Sequence, residues 1–323
     1  MTSASTPDRT ALRSWLPGFL LLAAIWGSSF LFIKVGVAEL HPMYVTLGRV
    51  VAGGVALLVV LAVVRERLPR DPRFWLHQSV TGVLGVAVPF TLFGYGEQRV
   101  TSILAGIWNA TTPLVVLPLA TLLFRTERMT VRKAVGLGVG FGGVLVVLGV
   151  WDGVGGSGFT GQLMCFGAAV CYGFVIPYAK RFVAGRSESG LVLSAGQLIT
   201  AAVGLAIVAP MVAGAPTAPL DLSLKAVASI LTLGAVGTGL AFVLNMRNIR
   251  LVGASTASMV TYLIPVFAVV IGALALGEGL TWHQPVGAAV VLLGVAISQG
   301  FVRARQPVPD ETPGEVAPVA ATR

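Results

Sequence analysis

Val55-Ala56-Leu57-Leu58-Val59-Val60-Leu61-Ala62-Val63-Val64, the closing part of a stretch that opens at Pro42 and stops at Arg65, is apolar at every successive position. A half-buried or barrel-forming strand alternates in polarity along its length, so an unbroken run reads as a helix surrounded by hydrocarbon. The rest of the 323-residue chain follows suit, with 55% apolar residues, 11% charged residues and a mean hydropathy of +0.87. No water-soluble surface can be assembled from that composition, and the bilayer must be the solvent. A hydrocarbon core of about 30 Å takes about 20 apolar residues per helix. Ten stretches of that kind lie between charges or turn residues: Leu16–Val37, Pro42–Val64, Trp75–Tyr95, Val100–Phe124, Val131–Val150, Phe159–Phe182, Gly190–Val212, Leu224–Met246, Leu251–Leu276 and His283–Val302. The expected fold class is all-α and integral to the membrane, with ten transmembrane helices.

The polar segment ahead of Leu16 holds Asp8, Arg9 and Arg13. The apolar run behind it is too long for a secretion-signal core and a second span follows at once, so residues 1–15 are expected to be a cytoplasmic tail before a retained first helix. At the other end, residues 303–323 carry Pro307, Pro309, Pro313 and Pro318 among small and charged residues. Such a segment buries too little apolar surface to order itself and is expected to be a disordered cytoplasmic tail.

A net charge of +9 suits a nucleic-acid binder only if the charge forms one patch. Here it follows the loops instead. Arg9 and Arg13, then Arg65, Arg67, Arg70 and Arg73, then Arg125, Arg128, Arg132 and Lys133 fall on one side of the membrane. So do Lys180, Arg181 and Arg186, Arg247 and Arg250, and Arg303, Arg305 and Arg323, which makes 18 of the 22 basic residues. By the positive-inside rule both termini are cytoplasmic, the protein is multi-pass in the plasma (inner) membrane, and no nucleic-acid partner is expected. Cys165 and Cys171 are six residues apart on one helix, about 9 Å of rise, too far to bridge each other.

The chain contains a diverged internal repeat. Trp26-Gly27 with Lys34 is answered by Tyr172-Gly173 with Lys180; Pro113, Glu127, Thr130, Gly136 and Gly143 are answered by Pro265, Glu278, Thr281, Gly287 and Gly294. The offset is 146 at the first pair, 152 at the prolines and 151 afterwards. Five helices per half is an odd number, so the halves, 16–150 and 159–302, enter the membrane from opposite sides. Inverted repeats of this kind surround a midplane site in secondary transporters.

These residues resemble the EamA branch of the drug/metabolite transporter (DMT) superfamily. The resemblance runs from Ala24-Ile25-Trp26-Gly27 with Lys34, through Pro42 and Arg49, to Leu276-Gly277-Glu278-Gly279-Leu280-Thr281; the first copy has Thr126 where the second has Gly277. It implies ten helices from a five-plus-five duplication, with the first, third, fourth, sixth, eighth and ninth around a central cavity. It also implies an exporter or exchanger of amino acids, metabolites or drugs.

Pro113 and Pro265 fall inside the fourth and ninth expected helices, and each leaves the carbonyl four residues earlier, at Asn109 and Thr261, without its helical donor. Freed carbonyls are tolerated where protein or cavity water meets them, so these helix breaks mark either a pathway or a packing kink. Asn109, Thr111 and Thr112 beside the first proline, and Thr261 and Tyr262 beside the second, either join helices or face solute. Trp26, Tyr95 and Tyr172 add rings with polar handles, and Asn245 reaches either solute or interfacial water. Arg49 is the one full charge clearly inside an expected span, Lys34 and Lys180 lying nearer helix ends, and it either anchors a substrate carboxylate or snorkels to the interface.

No Asp or Glu is expected deep in a span: Glu39, Glu97 and Glu278 are placed near the outer edge and Glu127 near the inner one. Nothing in this pattern calls for proton coupling. Gly136 and Gly140, and Gly138 and Gly142, share four-residue spacing that brings helices close, within the bundle or in a homodimer. The sequence has no HExxH, no intramembrane carboxylate pair and no phosphate-binding loop, so neither an enzyme nor an ATP-driven pump is expected, and no cofactor or metal. A structural or signalling membrane protein is the remaining alternative to a carrier of small solutes.

Overall fold

A computed structural model describes residues 9–149, 151, 156–216, 221–257 and 260–299. Residues 1–8, the tail 303–323, and the last residues of the fifth and tenth expected spans lie outside them. Every regular element among the described residues is helical: α1 Arg9–Val37, α2 Pro42–Val64, α3 Pro72–Gly82, α4 Val88–Glu97, α5 Ser102–Asn109, α6 Thr112–Leu122, α7 Val131–Leu148, α8 Gly156–Phe182, α9 Gly190–Ala213, α10 Leu224–Gly234, α11 Ala241–Ala257, α12 Val260–Leu276 and α13 His283–Gln299. Two wider π-helical turns, Val83–Ala87 and Ala235–Leu240, join α3 to α4 and α10 to α11 without ending the span.

Eight of these helical runs are long and apolar enough to cross a membrane, the third being Pro72–Glu97 and the eighth Leu224–Leu251; Val260–Leu276 and His283–Gln299 are apolar but shorter. The starts are set by local chemistry. Asp71, Thr101, Thr130, Ser189 and Ser223 each accept a hydrogen bond from a backbone N–H in the first turn of α3, α5, α7, α9 and α10. The stop of α7 at Gly149 uses a left-handed residue, φ 60°, which glycine adopts without strain.

One expected boundary moves. The eighth and ninth stretches were to be separated near Arg247 and Arg250, but α11 runs through both arginines to Ala257. The segment Asn245-Met246-Arg247-Asn248-Ile249-Arg250 contains neither Gly nor Pro. Charges mark a membrane edge, but they do not break a helix.

Helix α1 packs on α12, α2 on α9, α4 and α6 on α8, and α7 on α13. The last pair is a glycine interface: a Cβ on Gly136 would stand 2.5 Å from the Gly294 carbonyl, and one on Gly143 would stand 2.6 Å from the Val291 amide. Gly138 and Gly142, by contrast, have no atom of the described residues within 4 Å of such a position. One of the two glycine series therefore joins helices inside the bundle and the other lies on its outer surface. The opening run shows the same sidedness, with Leu57 and Leu61 buried while Val55, Val59 and Val63 are 55%, 58% and 76% exposed on the face left to lipid.

Candidate functional site

The fourth expected span is broken where the sequence places Pro113. Helix α5 ends at Asn109, the Ala110 and Thr111 amides turn back to the carbonyls of Ile107 and Trp108, and α6 restarts with Pro113 in its first turn, where a missing N–H costs nothing. The hydroxyls of Thr111 and Thr112 donate to the carbonyls of Trp108 and Asn109 at 2.7 and 2.8 Å. The Asn109 carbonyl is thus met by its own neighbour rather than left for a solute. Pro265 behaves differently: it lies inside α12 and is buried.

The third and eighth spans each widen into a π turn, one after Gly82 and the other after Gly234. A facing helix comes so close at both points that only hydrogen fits. A Cβ on Gly82 would stand 2.7 Å from the Gln197 carbonyl of α9, and one on Gly234 would stand 2.6 Å from the Arg49 carbonyl of α2. From α9, Gln197 Nε2 donates to the Thr81 carbonyl at 3.0 Å. From α2, Arg49 Nε donates to Thr238 Oγ1 in the second π turn at 2.9 Å, and its guanidinium carbon lies 3.7 Å from the centre of the Phe90 ring. Arg49 is 6% exposed, so it does not snorkel. Its terminal Nη donors have no hydrogen-bond partner among the described residues. A buried guanidinium held only by a hydroxyl and a ring retains donors for an anion.

Arg49 lies on the wall of a cavity of about 970 Å³. Trp26, Ser29 and Phe30 of α1 line it, with Phe90 and Phe93 of α4, Asn109, Thr112 and Pro113 at the broken span, Tyr172 of α8, Phe242 of α11 and Thr261 and Tyr262 of α12. The cavity continues to Glu127, Lys133 and Lys180 at one end of the bundle, where the three side chains are 22–55% exposed. Burial works to raise the Glu127 pKa, but the hydrogen bond and charge of Lys133, with those of Lys180, outweigh it and hold the carboxyl below 4.5.

The opposite end is tied shut. Lys34 Nζ donates to the carbonyls of Glu97 and Val100, the latter at 2.7 Å. Glu278 accepts from Ser102 N, Ser102 Oγ and Ile103 N at 2.9, 2.8 and 3.1 Å, capping α5 from beyond α12. Glu39 accepts from Ser223 N at 2.9 Å and from its hydroxyl, and these two bonds keep its pKa below 4.5. Tyr44 donates to the Gly214 carbonyl.

The structure thus brings Trp26, Arg49, Asn109, Thr112, Pro113, Tyr172, Thr261 and Tyr262 to one chamber. Three of the sequence-predicted residues lie off its wall. Tyr95 faces His41, OH to Nε2 3.2 Å, Asn245 is half-buried on α11, and Pro265 packs inside α12. Sequence reasoning missed Phe90, Thr238 and Gln197, and with them both π turns. A signal existed: Gly82-x-x-Gly85 recurs as Gly234-x-x-Gly237 at an offset of 152, the offset of the two prolines. Glu97, expected near the outer edge of its span, is the last residue of α4, and the structure adds that it is 0% exposed, with Lys34 of α1 on its carbonyl and Cys165 of α8 against its neighbour Gly96.

Comparison with known proteins agrees with this architecture. A profile of the EamA-like transporter family matches residues 13–149 and again residues 159–299. A Bacillus subtilis (strain 168) protein named uncharacterized transporter YoaV is 26% identical over 279 residues, covering 86% of this chain and 94% of its own. The Escherichia coli (strain K12) uncharacterized inner membrane transporter YedA is 28% identical over 290 residues, 88% of this chain and 91% of its own. A solved crystal structure, 18% identical, aligns over 88% of this chain and 96% of that one with a TM-score of 0.62, so the fold is shared. Matched by one family over most of its length, this multi-pass helical membrane protein belongs to the EamA-like transporter family.

Proposed function

We propose that the chain is a secondary carrier that moves small amphipathic organic solutes (amino acids, metabolites or drugs) across the plasma membrane by alternating access, as an exporter or exchanger. One observation carries this reading: an aromatic chamber with a few polar groups, continuous with one end of the bundle and tied shut at the other. A carrier needs a site of this kind, whereas an anchor or a structural protein has no use for it. Arg49 is the anchor for a solute carboxylate, with Asn109 and Thr112 across the chamber and Trp26 and Tyr172 as its aromatic walls. The inner membrane in the YedA name and the distribution of basic residues support both termini in the cytoplasm, which turns the accessible end inward.

In this reading α12 and α13 also cross the bilayer, making ten helices in two inverted halves, 16–150 and 159–302. The separate family matches to each half support it, and so do the contacts, in which α2 meets α9 and α7 meets α13 while the third and eighth spans bulge alike. Two measurements test the proposal. Thermal shift with amino acids, nucleosides, sugars and cationic dyes identifies a bound class, and its flux is then followed in reconstituted vesicles with Asn109→Ala and Arg49→Ala. Undiminished flux in both variants removes the site. Impermeant labelling of cysteines placed at 127 and 278 is expected from opposite sides, and labelling from one side overturns the inverted repeat.

A further inference from the structure

We propose that Glu97 is a proton-binding site whose occupancy closes the Glu278 end of the carrier, so that a proton is taken up from that side each time the face shuts. The inference rests on the carrier reading above. Glu97 does not line the chamber, and it stands out from the other carboxylates by what it lacks. Glu278 has three donors, Glu39 two, Glu127 two lysines and Glu188 an arginine. Glu97 is wholly buried, and neither carboxylate oxygen has a hydrogen-bond partner among the described residues. The packing that seals it is tight: a Cβ on its neighbour Gly96 would stand 2.5 Å from Cys165 Sγ on α8.

An ionised carboxylate without donors is costly to bury, and a bound proton removes that cost. The nearest cation does not supply the missing donor. Lys34 Nζ bonds the carbonyl of Glu97 and that of Val100 instead of the carboxylate. The other titratable or charged groups acting on it are Arg49 on α2, Cys165 on α8 and Glu278 beyond α12; α5 contributes none. Opening this end breaks the Lys34 and Glu278 ties, admits water to Glu97 and frees the ammonium to face it. The closed face then prefers the acid and the open face the carboxylate. By linkage, the proton stabilises closure at low external pH, and that advantage is lost as pH rises.

The test needs no known solute. Ile33 lines the chamber on α1 and is buried from the closed side. An Ile33→Cys chain in sealed right-side-out cells is labelled with an impermeant maleimide from outside, with the parent chain reporting any background from Cys165 and Cys171. With Glu97 present, external labelling relative to that of a fully exposed cysteine in the same medium, which removes the pH dependence of the thiolate itself, should rise severalfold from acidic to alkaline conditions, bounded by roughly tenfold per pH unit for one linked proton. Glu97→Gln, a neutral isostere, should stay weakly labelled at every pH, and Glu97→Asp should restore the pH response. A pH response unchanged by Glu97→Gln overturns the proton site, as does external labelling that is indifferent to pH. Labelling confined to the cytoplasmic side at every pH in all the chains shows instead that the face never opens; the carrier reading then fails and takes the proton site with it. Misfolding is separated from either outcome by cytoplasmic-side labelling of the same variants, which is expected to persist.

Discussion

The π turn after Gly82 and the π turn after Gly234 are the same backbone device filled with different chemistry. Both widen a membrane span by one residue per turn, both lie against a helix too close for any side chain, and both receive a long polar side chain from that helix. π turns inside α-helices concentrate at functional sites because they bend the span and redirect backbone groups. At the first turn the arriving group is the neutral amide of Gln197, which bonds a carbonyl at the bulge. At the second it is the guanidinium of Arg49, which takes a threonine hydroxyl and an aromatic face and stands at the chamber wall. The comparison separates two roles that the fold alone would merge: one bulge is completed within the protein, and the other retains donors for something else.

Removing the charged member tests that difference most severely. Arg49→Ala is expected to cost transport about 2–3 kcal/mol, roughly 30- to 150-fold in flux at low solute concentration. Arg49→Lys should recover little, because a compact ammonium lacks the planar fork that bonds Thr238 through Nε, lies over the Phe90 ring and still offers a carboxylate two parallel donors. Flux in reconstituted vesicles measures both, and a Gln197→Ala chain losing as much as Arg49→Ala would erase the distinction.

Filling the close approaches comes next. Gly82→Ala and Gly234→Ala put a methyl where backbone already stands, and each should destabilise the bundle by about 1–3 kcal/mol. Thermal unfolding in detergent reads this, with Gly138→Ala on the open face as a control expected to be silent. Equal melting temperatures for Gly234→Ala and Gly138→Ala would show that the second bulge adapts.

Smaller still is Gln197→Ala, which removes one neutral hydrogen bond at the first bulge and should cost about 1 kcal/mol of stability with little effect on flux. The smallest effect is expected where loops near these spans are pinned by Arg186. Its hydrogen bond is the largest influence holding Asp71 below 3.8 and Glu188 below 4.5, and it donates to them at 2.7 and 2.8 Å. Both folded pKa values are depressed, so the contribution is complete above the ordinary carboxylate range and is lost as pH falls through the lowered values. Melting temperature should therefore decline on acidification, and Arg186→Gln should flatten that decline slightly. A steeper decline in Arg186→Gln would contradict the pairing.

Much of the molecule was present in the order of its residues. The spans are legible because hydrocarbon imposes one requirement on each in turn, about 20 apolar residues, and because capping residues such as Asp71 and Thr130 act on their own first turn. The break at Pro113 was legible for the same reason, since a missing N–H is a local fact. What depends on a distant helix was not. Whether Arg49 snorkels or turns inward was decided by Thr238, 189 residues away, and by the ring of Phe90. That Glu97, at the end of its span, is wholly buried was decided by the packing of α8 against Gly96. Pro265, although the repeat partner of Pro113, kept its helix whole. Burial and hydrogen-bond satisfaction are properties of what surrounds a side chain, and in a bundle of packed helices those surroundings are assembled from the whole chain.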